Sequence, residues 1–413
     1  MTDRKDPGKI LDGLLRDARR AGADAADAVF VASVAASVSY RLSRLEELER
    51  AESWDLGLRV FVGERVAFVS STDLSRDTLA DLPARAVAMA RLAPEDKFAS
   101  LAPADRLVSS FPDLDLEDTR EPAAEVLIER ARVVEGAAMA VPGITNSEGG
   151  GASFGRSEIA LATSEGFFGR YAGTAHSIGV AVVTGEGTAM ERDYDSVSAR
   201  HTDDLESAEA VGRRAGERTI ARLNPRKAKS QAVPVVFEPR VASGLLGHFA
   251  GAISGASIAR GVSFLKEEMH KPVFASDIVI VDEPHRPRGL RSKPFDGEGV
   301  RNQRMALVES GVLKTWILDC ASAKQLGLQT TGHAARGTGG PPSPATTNLY
   351  MEAGSVSPDR LIADIAQGFF VTELIGMGVN MVTGDYSRGA SGFWIENGKI
   401  AYPVAGVTIA GNL

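Results

Sequence analysis

The chain has 413 residues, 46 Lys+Arg against 54 Asp+Glu for a formal charge of -8, 44% hydrophobic residues and 24% charged ones. This ordinary globular composition excludes disorder, collagen and coiled coil as overall descriptions, and the acidic balance argues against a nucleic-acid groove. A single cysteine, Cys320, excludes an intrachain disulfide and a thiolate zinc cluster and points to a reducing, cytoplasmic setting.

Ile10, Leu11, Leu14, Leu15 and Ala18 recur three and four apart, which predicts an amphipathic surface helix over 7–21 and not the apolar core of a secretory signal. Residues 28–48 read as one long run of β structure. Two apolar runs, 56–62 and 65–70, flank Gly63-Glu64 and predict a hairpin. Ser75 is a plausible N-cap for a helix to Leu92. Residues 93–122, rich in proline and acids, read as a linker. A helix is predicted over 121–140, then an antiparallel meander from 144 to 195 with turns at Ser164-Glu165-Gly166 and Gly185-Glu186-Gly187. A further helix is expected over 203–223, capped by Thr202 or Asp203. The basic stretch after Asn224-Pro225 marks the main boundary. Three units follow: 1–105, 116–227 and 228–413.

The last unit carries a strand at 233–237 and then an uncharged stretch, 241–259, flanked by Arg240 and Arg260. Four glycines, three serines and a histidine make it too polar for a membrane span, so a buried glycine-rich helix is expected. Hairpins are predicted at Glu309-Ser310-Gly311 and Asn397-Gly398, and the Gly/Pro/Thr stretch 337–348 is a long loop. Strands joined by hairpins favour an α+β fold: a mixed N-terminal α/β region with antiparallel sheets, and a strand-rich C-terminal domain around the glycine-rich helix.

Gly247, Gly251 and Gly255 recur every four residues. Glycine costs a helix about 1 kcal/mol relative to alanine, so either a closely packed backbone or a substrate path along that face is expected. His248 lies beside them. A helical zinc peptidase needs two histidines about a turn apart and a glutamate next to the first. Here 243, 244, 249, 252 and 253 are Ser, Gly, Phe, Ala and Ile, so His248 has no ligand partner on its helix. His270, His285 and His333 fall in loops without ligand spacing. Ser387, in Gly384-Asp-Tyr-Ser-Arg-Gly389, lacks the nucleophile-elbow spacing. Cys320 opens a helix-like segment, which can lower a thiol pKa, yet a buried unreactive cysteine is the reading preferred. Thr372, Glu373, Asp385, Ser387, Arg388, Glu396 and Asn397 stand among strands and glycines, as either a peptide-binding edge or a solvated sheet edge.

Several long motifs resemble one family. They are Gly244-Leu-Leu-Gly-His-Phe-Ala-Gly-Ala-Ile-Ser-Gly255, Phe295-Asp-Gly-Glu-Gly-Val-Arg301, Leu326-Gly-Leu-Gln-Thr-Thr-Gly-His333 and the run from Gly384 to Asn412. Together they resemble the TldD/PmbA family (peptidase family U62), in its PmbA/TldE branch. The likeness is dense from about residue 232 onward and collinear before it.

The resemblance implies a cytoplasmic protein that pairs with a TldD-type subunit in a zinc peptidase acting on unfolded or modified peptides. TldD-type subunits carry His-Glu-x-x-x-His where this chain has Gly247, His248 and Ala252, and a cysteine ligand in a tail that is not seen after Leu413. The implied role is a degenerate, non-catalytic subunit: no metal on this chain, zinc on the partner, a peptide as substrate, and a homodimer when alone. Neither direct nucleic-acid binding nor a membrane is expected. The expected cleft walls are Gly251 and His248, His333, and the turn with Asp385, Ser387 and Arg388. Arg388 would hold a peptide carboxylate or pair with Asp385. Two alternatives stand beside this: an autonomous hydrolase using His248 or His333, and a peptide-binding regulator that contacts DNA gyrase.

Overall fold

The computed structural model describes residues 6–413; positions 1–5, part of the stretch read for a signal, lie outside the described residues. The first half of the chain runs α1 (Pro7–Ala21), β1 (Ala25–Arg41), β2 (Arg44–Val62), β3 (Arg65–Ser71), α2 (Arg76–Leu92), α3 (Ala124–Met139), β4 (Ile144–Thr163), β5 (Phe168–Thr184), β6 (Glu191–Ala199) and α4 (Ala208–Ala221). The six strands form one antiparallel sheet in the order β3-β2-β1-β4-β5-β6. It therefore joins residues of the 1–105 and 116–227 stretches through the β1–β4 pair.

Alternation along the strands divides the sheet into two faces. Ala28 and Phe30 pack with Leu11, Leu14 and Leu82 of α1 and α2. Ala36, Val38 and Phe154 pack with Leu127 and Ala131 of α3, and Val180 and Val182 with Val211 of α4. All four helices thus cover one face. On the other, Val29 and Leu161 receive Phe295 from the C-terminal half.

Two local features differ from expectation. The stretch 28–48 is two strands, reversed at Leu42-Ser43 with φ of 47° and 64°. A two-residue turn of this kind favours Asn-Gly, and these residues give no such signal. The buried Glu135 of α3 holds the turn instead, its carboxylate accepting the N–H groups of Leu42 (2.7 Å) and Ser43 (3.3 Å). The helix expected from 203 begins at Ala208 with Ser207 as its cap. Thr202 is drawn elsewhere, its N–H donating to Asp118 at 2.9 Å.

The second half runs β7 (Val235–Phe237), α5 (Pro239–Ala252), α6 (Gly255–Ala259), β8 (Ile280–Asp282), β9 (Met305–Glu309), β10 (Val312–Leu313), α7 (Cys320–Leu326), β11 (Ala334–Ala335), β12 (Ser343–Pro344), β13 (Leu349–Met351), α8 (Pro358–Ala363), β14 (Gln367–Ile375), β15 (Asp385–Glu396) and β16 (Lys399–Asn412). It carries two four-stranded sheets, β10-β9-β8-β13 and β16-β15-β14-β7, and the short pair β11-β12. Ser310-Gly311 and Asn397-Gly398 turn with positive φ at both positions, as their sequences predict. Among the described residues no helix is long and apolar enough to cross a membrane. The whole is α+β.

The glycine-rich helix is not buried, which corrects the sequence expectation. Phe249, Ala252 and Ile253 enter the core beside β8 and β9, but Gly247 and Gly251 are exposed. A Cβ at Gly247 would meet nothing within 4 Å, and one at Gly251 would meet only Met381, at 3.4 Å. No backbone packs on that side. Nor do the three glycines share one helix: Ile317 accepts from Gly255 N–H and donates to the Ile253 carbonyl, which ends α5 and starts α6.

A buried polar cluster joins the halves. Asp27 of β1 accepts from Arg59 Nε of β2 at 3.0 and 3.1 Å and lies 2.7 Å from Arg336 Nη1 in the C-terminal half. Glu298 lies 3.9 Å from Arg59 and accepts the Cys320 N–H. Burial, reinforced by Asp296, pushes the Glu298 carboxyl up to about 7. A carboxyl whose folded pKa exceeds its unfolded value keeps a proton that the unfolded chain releases, so its contribution to stability falls as pH rises. That fall spans the ordinary glutamate value of 4.5 up to about 7 and levels off above. Glu298→Gln is expected to flatten the dependence of the denaturation midpoint on pH between 5 and 8; an unchanged slope would show that Glu298 is not its source.

Candidate functional site

A cavity of about 280 Å³ opens at the first turn of α5, lined by Arg240, Ser243 and Gly244 of the helix, Asp193 and Tyr194 of β6, Arg222, Thr372 to Leu374 of β14 and Arg388 of β15. Its acids are already matched. Asp193 lies 2.8 Å from Arg240 and 3.5 Å from Arg222, and Glu373 accepts from Arg222. Arg240 also lies over the Tyr194 ring at 5.0 Å and binds Glu238 at 2.9 Å. Burial opposes the charge of Arg240, but the bonds to Asp193 and Glu238 outweigh it and hold the guanidinium ionised.

Arg388 is different. Its Nε is buried without a hydrogen-bond partner, as are Thr372 Oγ1 and Tyr386 Oη. It does not pair with Asp385, which instead accepts from Thr383 Oγ1 at 2.7 Å and Asn412 Nδ2 at 3.2 Å. The two-residue period of β15 accounts for the separation: Asp385 and Ser387 are exposed, whereas Tyr386 is buried and Arg388 half-buried. Of the turn predicted as a cleft wall, only Arg388 lines this cavity.

His248 lies beyond the cavity on α5, its ring edge-on to Tyr386 with centroids 6.2 Å apart. Burial, then the nearby Arg388 charge, lowers its pKa below the usual imidazole value. It is a neutral ring with an aromatic neighbour, not a ligand set. His333 is not brought to it. That residue is 2% exposed, with Nδ1 2.9 Å from Thr331 Oγ1 and Nε2 3.3 Å from Asp282 Oδ2. Both ring nitrogens are committed, and Asp282 in turn accepts from Thr347 N–H and Oγ1 at 2.6 Å each.

Two nucleophile signals also resolve. Cys320 is buried, and burial together with the Glu298 charge pushes its thiol well above the usual range, overriding the helix N-terminus. Gly-x-Ser-x-Gly, expected to be absent, does occur at Gly151–Gly155, but in mid-strand within β4, where no strand-to-helix elbow can present Ser153.

A zinc centre needs at least three protein ligands. Around His248 the helix α5 offers no second ligand: Gly247 has no side chain and Ala252 only a methyl. Among the described residues no group of three or more His, Cys, Asp or Glu is arranged to hold a metal ion. The residues present do not fit zinc.

Residues 230–413, 117–223 and 26–90 match the PmbA/TldA metallopeptidase C-terminal domain, central domain and domain 1. The metalloprotease PmbA of Escherichia coli O157:H7 is 38% identical over 409 residues, 98% of this chain and 89% of that protein. A PmbA homologue from Haemophilus influenzae is 38% identical over 96% of this chain and 86% of its own length. Among solved structures, a Bacteroides thetaiotaomicron protein described as a candidate modulator of DNA gyrase superposes with a TM-score of 0.91 at 28% identity, covering 100% of this chain and 92% of that one. TldE from Thermococcus kodakarensis has a TM-score of 0.86 at 21% identity, covering 97% and 91%, a likeness of fold. Matched by three consecutive domain models and by PmbA proteins along nearly its whole length, the chain belongs to the PmbA/TldD metallopeptidase family.

Proposed function

We propose that this chain is a non-catalytic subunit of a peptidase whose zinc is carried by a TldD-type partner, and that it contributes a substrate-holding surface. The observation that carries this reading is the helix α5: at the family's metal positions it bears an exposed Gly247, a half-buried His248 and a buried Ala252 methyl, and among the described residues no metal-binding group forms around them. The unpaired Arg388 beside it supports a role in gripping the carboxylate of a peptide, since a guanidinium and a carboxylate form charge-assisted bonds. An exposed glycine strip leaves room for an extended backbone to approach.

The test is complementation. The purified chain alone should leave an unstructured peptide intact; mixed with a TldD-type subunit it should enter a stable complex, and cleavage should appear. Cleavage by the lone chain, abolished by His248→Ala, would favour an autonomous hydrolase and overturn the proposal.

A further inference from the structure

A second cavity, of about 320 Å³, lies between the sheet face opposite the helices and the segment that carries Phe295. Its volume falls at the lower end of small-ligand sites, about 300–1,000 Å³. Ile159 and Tyr171 of β4 and β5 form one wall with Leu116; Arg200, Arg291 and Lys293 form the other. No lining residue is acidic.

The three cations are held in place by neutral groups. Arg200 donates through Nε, Nη1 and Nη2 to the carbonyls of Gly289 (3.2 Å), Thr174 (2.9 Å) and Leu290 (2.6 Å). Lys293 Nζ donates to the Ala334 carbonyl at 3.0 Å, and Arg291 Nη2 to the Thr346 carbonyl at 3.4 Å. The nearest acids are engaged elsewhere: Asp296 accepts the N–H groups of Glu298, Val300 and Ala334, and Asp282 binds Thr347. Burial disfavours the charged forms of Arg200 and Lys293; at Lys293 the charges of Asp296 and Asp282 offset this in part, and Arg291 adds to it. Unpaired charge near the interior is costly, and a bound anion offsets that cost.

We infer that this cavity binds a small organic phosphomonoester, with Arg200, Arg291 and Lys293 on the phosphoryl group and the Ile159–Tyr171–Leu116 wall on the organic part. A dianion matches several clustered cations better than a single carboxylate does, and arginine is suited to bidentate phosphate binding. The Tyr171 hydroxyl, pushed up to about 12 by burial, stays protonated at neutral pH. This site is separate from the α5 cavity and does not depend on the peptidase reading.

Isothermal titration of the full chain at low ionic strength tests it, with phenyl phosphate, inorganic phosphate and benzoate as probes. Phenyl phosphate is expected to bind, inorganic phosphate about tenfold more weakly, and benzoate more weakly still. Arg291→Gln, at an exposed position, should weaken phenyl phosphate about tenfold, and Lys293→Met should do the same. Circular dichroism shows that each variant is folded. No binding to the folded chain, affinity for benzoate equal to that for phenyl phosphate, or binding unchanged in both variants would overturn the inference.

Discussion

Asp27→Ala is expected to lower the free energy of unfolding by about 3–5 kcal/mol, the range for removing one partner of a buried ion pair. Asp27 is 1% exposed, and it is the carboxylate shared by Arg59 and Arg336, themselves buried. Burial disfavours its charge, but the charges and hydrogen bonds of the two arginines outweigh this and hold the carboxyl below its ordinary value. Without it, two guanidinium groups remain in the interior with Glu298, a carboxyl whose own ionisation burial opposes, as the nearest acid, 3.9 Å from Arg59. The loss should appear as a shifted midpoint in urea. Breaking a surface pair such as Arg132–Glu129, with both side chains more than half exposed, should barely move the midpoint by the same measurement, because solvent screens it. Equal effects at the two sites would show that the cluster does not bind the halves together.

In the reconstituted complex with a TldD-type subunit, Arg388→Ala should lower kcat/KM by about 10- to 100-fold, mainly through KM, for peptides with a free terminal carboxylate. C-terminally amidated peptides lack the group that Arg388 would hold, so the substitution should barely affect them. Arg388→Lys should recover part of the loss, since it restores charge without the planar fork. His248→Ala should change kcat/KM by less than about twofold, because the ring stands edge-on to Tyr386 without further ligands to complete a metal site, and its lowered pKa leaves it a poor proton donor at neutral pH. Equal losses on free and amidated peptides would remove Arg388 from substrate binding. A large loss at His248 would move the chemistry onto this chain.

What the sequence made legible was local. Asn397-Gly398 and Gly63-Glu64 announce their hairpins, Ser75 caps its helix, and the apolar spacing of Leu11, Leu14 and Ala18 marks α1. Leu42-Ser43 hides its turn because the compensating group, Glu135, lies more than ninety positions away. The same limit applies to the site. The absence of a second ligand around His248 is readable along one helix, but the burial of His333 against Asp282 is not, because it depends on how a loop packs over β8. The spacing of Gly247, Gly251 and Gly255 suggests close packing that the structure does not contain; the Ile317 backbone interrupts the helix before the third glycine. The cluster of Asp27, Arg59 and Arg336 joins three distant stretches of chain and leaves no pattern in any of them.

The zinc content of the isolated, folded chain after exposure to zinc and dialysis tests the account most directly. A helix that offers a bare backbone position, one imidazole and a methyl group should retain no stoichiometric zinc, before or after His248→Ala. Tightly held stoichiometric zinc that disappears on His248→Ala would contradict it.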